Sequence, residues 1–93
     1  MTNKVEFTIE EATAIASQIG LDFSKEKFDI EQLRKGLAVE LEHGTRDVDT
    51  NVTNDDLTLT GKIAWAHLRE FPDYYDRLEI LEKEADVYWA KKF

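Results

Sequence analysis

The chain has no cysteine, one proline and four glycines in 93 residues, and it is short of cationic side chains. Without cysteine there are no disulfides and no thiolate metal ligands, and nothing points to an oxidising compartment. With so few glycines, and none clustered, there is no Gly-rich loop to cradle a phosphate. No stretch approaches the roughly 20 apolar residues of a membrane span, and the opening MTNKVEFTIEE has no apolar run of signal-peptide length. The expectation is a soluble, cytoplasmic protein, in which Asn51-Val52-Thr53 is a glycosylation triplet by chance. Twelve Lys and Arg against 20 Asp and Glu leave a net charge of −8. Binding to nucleic acid or an anionic membrane depends on clustered bases, so both are disfavoured, and a basic protein surface is the expected partner.

Hydrophobic residues make up 42% of the chain, and two Trp, three Tyr and five Phe are too many for a disordered acidic tail. A length of 93 residues suits one domain spanning 1–93, with enough buried surface for a core without staples. Thr8 with Glu11 reads as a capping box opening a helix over about 9–19, with Phe7 as its staple residue and Gly20 as its left-handed end. Val5 and Phe7 are expected against this helix. Asp29 with Gln32 repeats the capping pattern before a second helix over 30–43, closed by Gly44. Its inward stripe is Ile30, Leu33, Leu37 and Leu41, with Glu40 almost in line, His43 on the flank and Glu42 opposite. A long polar loop, 45–56, leads to a third helix over 57–71 capped by Asp55 or Asp56. There Gly61 is a weak point, and Ile63, Ala66, His67, Glu70 and Phe71 share a face while Trp65 turns away. Pro72 ends that helix and suits the first turn of a fourth over 73–90, with Asp73 at its positive end. The fourth stripe is Tyr74, Leu78, Leu81, Ala85, Tyr88 and Trp89, flanked by Tyr75 and Glu82. Four such helices can bury their stripes only against each other, which predicts an all-α, compact single-domain bundle.

The segments ELEHG, TNVTNDD and KIAWAHLREFPDYYDRL, lying between Phe28 and Glu84, resemble a family of small uncharacterised bacterial and phage proteins. The resemblance implies a domain of unknown function from a bacterial or phage-infected cell. It draws attention to Glu40, Glu42, His43, Gly44, Thr50, Asn51, Thr53, Asp56, His67, Glu70, Pro72, Asp73, Tyr74 and Tyr75.

The sharpest chemical reading is a metal centre. Glu40 and His43 are spaced i, i+3, and His67 and Glu70 repeat that spacing in reverse, so two antiparallel helices could each present one carboxylate and one imidazole. Such a set suits a single Zn²⁺, Mn²⁺ or Fe²⁺. A di-iron centre would require two forward Glu-x-x-His motifs plus two more Glu, and only one such motif occurs. The competing reading is a metal-free polar network joined by the tyrosines, with Tyr74, Tyr75, Asn51, Asp56 and Asp73 as network or partner residues. In the loop, Asp47, Asp49, Asn51, Thr53 and Asp55 alternate as in an EF-hand, but Val52 stands where glycine is needed and Thr58 where a bidentate glutamate is needed. Turns and a helix cap are the plainer account. Among functions, a binding or accessory module ranks ahead of an acidic, phage-type inhibitor that imitates nucleic acid, and ahead of a small metal-dependent hydrolase using Glu or His as acid and base.

Overall fold

Helix α1, Ile9–Ile19, begins as its sequence dictates. The Glu11 amide donates to Thr8 Oγ1 at 3.0 Å and the Thr8 amide donates to the Glu11 carboxylate at 2.8 Å, satisfying two amides that a helix start leaves unbonded. Gly20, at φ 76°, ends it in the left-handed conformation that glycine adopts without a Cβ penalty. Phe7 is buried beside this start. The computed structural model describes residues 6–92, so the expectation for Val5 lies outside the described residues.

A 3-10 turn at Phe23–Lys25 connects α1 to α2, Ile30–Arg46. Asp29 caps α2 by accepting from the Gln32 amide at 3.1 Å. The Gln32 side chain does not return the bond; it donates to Asp76 at 3.2 Å and ties α2 to the fourth helix. The helix also runs three residues past the expected stop, because Gly44 remains helical and Asp47, extended at φ −145°, ends it. The following chain folds back over Gly44, where an added Cβ would stand 3.2 Å from Asn51 Oδ1. Glycine serves close approach there rather than termination.

Helix α3, Leu57–Glu70, is capped by Asp56, whose carboxylate accepts from the Leu59 amide at 3.0 Å. Its inward face differs from the expected one. Thr60, Gly61, Ala64 and Leu68 are buried, Trp65 packs against the core, and Ala66, Glu70 and Phe71 are exposed. Small residues select this face. A Cβ on Gly61 would lie 2.8 Å from Ile15 Cγ2, and one on Gly36 would lie 3.0 Å from the Ala64 Cβ. Close approach of α1, α2 and α3 therefore outweighs the apolar pattern of Ile63, Ala66 and Phe71.

Pro72 lies in the turn before α4, Tyr74–Lys92, rather than in that helix's first turn. Tyr75 is the buried anchor of α4, with Tyr74 and Leu78 packed beside it. The remainder of the expected stripe is corrected: Leu81, Ala85, Tyr88 and Trp89 are exposed, as is the helix from Lys83 to Lys91. Tyr88 and Trp89 meet edge to face at 5.0 Å. The molecule measures 46 × 25 × 20 Å, an all-α bundle around Leu33, Leu37 and Leu68 with no strand among the described residues.

Candidate functional site

Glu40 follows Leu33 by seven residues on α2, so two helical turns bring its carboxylate to the edge of the core, where its side chain is only 12% exposed. One oxygen, Oε2, receives the Tyr75 hydroxyl at 2.7 Å and lies 2.7 Å from His67 Nδ1. A carboxylate accepts and does not donate, so Nδ1 carries the proton in this pair and, in the neutral ring, Nε2 keeps the lone pair. The 3.2 Å separation of Nδ1 from the Tyr75 oxygen follows from two donors sharing one acceptor. Tyr74 completes the cluster by stacking on the His67 ring at 4.4 Å and 5°.

Burial and the bond to Glu40 push the Tyr75 hydroxyl far above the ordinary tyrosine range, so it remains a fixed donor. Burial, then the charges of Glu40 and Glu70, raises Tyr74 as well. Both tyrosines are therefore weaker acids than free tyrosine. The imidazole held by a carboxylate is an arrangement suited to a general base or a metal ligand.

The other expected ligands do not join Glu40 and His67. His43 turns to α4, where its Nε2 lies 2.8 Å from Glu82 Oε2, and Glu70 is exposed on α3. The tetrad is thus divided into a Glu40–His67–Tyr75 network and a His43–Glu82 pair. Two causes act: the face selected by Gly61 and Ala64 turns Glu70 outward, and Glu82, seven residues after Tyr75, faces α2. No group of three or more His, Asp or Glu among the described residues is arranged to hold a metal ion. Glu82 appeared in the sequence only as a flank of the fourth stripe, and its i+7 relation to Tyr75 was the available signal.

The loop is built from turns, as the plainer account has it. Asp47 accepts from the Asp49 amide at 2.9 Å, starting a 3-10 turn at Val48–Thr50. Asn51 donates to Asp55 at 2.7 Å, Thr53 donates to Asn51 at 3.3 Å, and Thr53 accepts from the Asp55 amide at 3.2 Å. Asn54 and Asp55 are left-handed, at φ 52° and 65°, which turns the chain into α3. The alternating side chains bond their neighbours and do not converge as EF-hand ligands. The loop nevertheless reaches the polar network, since Thr50 and Thr53 line a small pocket of about 190 Å³ together with Glu40, His43 and Gly44. Of the remaining network candidates, Asp56 is the α3 cap and Asp73 binds Arg77 at 2.8 Å.

Between α2 and α4 runs a larger groove of about 460 Å³, with Ala38, Val39 and Leu78 among its apolar lining and Glu42, Glu79 and Glu82 at its rim. All four arginines, Arg34, Arg46, Arg69 and Arg77, are engaged within the chain, each ion-paired to a carboxylate. Lys35 binds Asp76 at 2.6 Å, which raises the lysine and lowers the aspartate pKa. No helix among the described residues is long and apolar enough to cross a membrane.

A family model described as a protein of unknown function, DUF5661, matches residues 12–84, and the chain belongs to that family. The match includes the Glu40 network, the polar loop and α3, together with most of α1 and the first half of α4. Neither a curated protein nor a solved structure matches the chain.

Proposed function

We propose that this member of the family is a small acidic binding module, folded as one unit over residues 1–93, whose partner is a basic protein surface. The observation that carries this reading is the asymmetry of its charges. Each arginine is paired with a carboxylate of the same chain, and 20 Asp and Glu against 12 Lys and Arg leave a carboxylate surplus that makes the net charge −8. The field of such a surface attracts cationic partners and repels nucleic acid.

In this reading the Glu40–His67–Tyr75 network is a structural keystone. It joins α2, α3 and α4 through one carboxylate oxygen and fixes the helices on which the acidic surface stands. A neighbouring reading uses the same surface: the module occupies the basic groove of a nucleic-acid-binding enzyme by imitating phosphates. The test is binding of the isolated chain to poly-lysine, poly-glutamate and duplex DNA at low and high salt. Retention of poly-lysine alone, weakening with salt, is expected, and retention of DNA or of poly-glutamate overturns the reading. Displacement of DNA from a basic enzyme by the chain would select the mimic.

A further inference from the structure

We propose that the groove between α2 and α4 is the docking site, and that its occupant is a basic amphipathic helix of a partner protein. The inference rests on the reading of the chain as an acidic binding module and names the place and shape of contact. The groove, of about 460 Å³, combines an apolar patch with charged side chains around it. Ala38, Val39 and Leu78 give it an apolar lining, the Tyr75 hydroxyl is turned into the bond with Glu40, and the rest of the lining is mostly charged side chains. A helix laid in a groove uses such an apolar patch for its own i, i+3, i+4 anchors and places its polar side chains at the edges.

Charge decides which helix. Five glutamates line the groove, Glu6, Glu31, Glu42, Glu79 and Glu82, against Arg34 and Lys35. Both cations are already held, Arg34 by Glu31 and by the Phe7 carbonyl, and Lys35 by Asp76. Glu31 is spent on Arg34 and Glu82 on His43, but two other carboxylates retain capacity. Glu42 and Glu79 make only i, i+4 pairs on the surface, at 3.5 and 3.7 Å from Arg46 and Lys83, which lysines of an incoming helix can displace at little cost. A helix with leucines on one face and lysines beside them therefore meets apolar contact on the floor and opposite charge at the rim. An acidic amphipathic helix would be repelled by the same rim.

The test uses three synthetic helices as probes against the full chain: a leucine–lysine amphipath, its leucine–glutamate counterpart, and a lysine-rich helix without an apolar face. Fluorescence anisotropy gives affinities, and amide chemical shifts locate the contact. The expected result is one-to-one binding of the leucine–lysine helix, with shifts confined to Glu6 and Phe7, α2 and the first half of α4. Glu42→Lys and Glu79→Lys should each weaken it by about tenfold, while Asp49→Lys, in the polar loop, leaves it within about twofold. Val39→Glu should abolish it, and a circular dichroism spectrum like the parent's separates that loss from misfolding. Equal weakening by Asp49→Lys, or equal binding of the helix without an apolar face, overturns the groove but leaves the acidic module standing. Failure of every cationic probe to bind overturns both.

Discussion

Glu40 and Glu42 lie two residues apart and differ in everything that matters energetically. Glu40, 12% exposed, receives the Tyr75 hydroxyl and the His67 ring at the edge of the core, whereas Glu42, 28% exposed, meets Arg46 at 3.5 Å. Glu40→Ala leaves a buried hydroxyl without its acceptor and should cost about 1–3 kcal/mol, against less than about 0.5 kcal/mol for Glu42→Ala. Urea unfolding of both variants gives the comparison, and equal midpoints would contradict the keystone role of Glu40. A second residue-scale expectation concerns acid. Glu26, whose side chain is 7% exposed, is held by Arg69 at 2.8 and 3.2 Å, and these bonds lower its pKa from the ordinary 4.5. A carboxyl with its folded pKa below the unfolded one stabilises the protein above the unfolded value, and this is lost as pH falls through the folded value. Glu26→Gln should therefore reduce the parent's loss of stability below about pH 4.5, and unchanged acid unfolding would show the pair to be ineffective.

At the scale of elements, the helices are positioned by their smallest residues. Gly61 stands where α1 crosses α3, and Gly36 where α2 meets α3 and α4; a Cβ on Gly36 would come 2.6 Å from Tyr75 Cε2. Alanine normally improves a helix interior by about 1 kcal/mol over glycine. Overpacking at these crossings costs about 1–3 kcal/mol, so Gly36→Ala and Gly61→Ala are expected to destabilise by up to about 2 kcal/mol net. Gly44→Ala meets only the Asn51 and Thr53 side chains, none closer than 3.2 Å, and should fall near zero. Thermal unfolding of the three variants checks the order. A gain in stability for Gly61→Ala would mean that α1 and α3 are not in close contact.

For the whole molecule, a net charge of −8 on a small bundle should steer a cationic partner over about 8–10 Å at physiological salt. Association with the leucine–lysine helix should therefore slow with ionic strength while dissociation changes less. Stopped-flow mixing separates the two, and a salt-independent association rate would show that the acidic field does not guide encounter. The same helical frame sets where contact occurs. Tyr75, Tyr74 and Leu78 hold the first half of α4 on the bundle, and α2 and α4 together form the walls of the groove.

Local chemistry was legible in the chain. The Thr8–Glu11 box and the Gly20 stop are decided within four residues, the α3 cap was narrowed to Asp55 or Asp56, and the bundle class follows from four amphipathic segments. The phase of α2 was legible too, because Leu33, Leu37 and Glu40 form a stripe whose burial needs only a neighbour. What the sequence could not decide was which neighbour each face meets. The α3 face is chosen by backbone approach at Gly61 and Ala64, a steric condition that involves Ile15 and Gly36 from other helices. The partner of His43 is Glu82, 39 residues away, where sequence spacing offered Glu40 at i−3 and His67 and Glu70 on the next helix. Glu26 with Arg69, and Gln32 with Asp76, are likewise separated by more than 40 residues. Periodicity fixes the direction of a side chain about its own helix axis; the distance between two helices, and hence which carboxylate reaches which imidazole, exists only once they are packed.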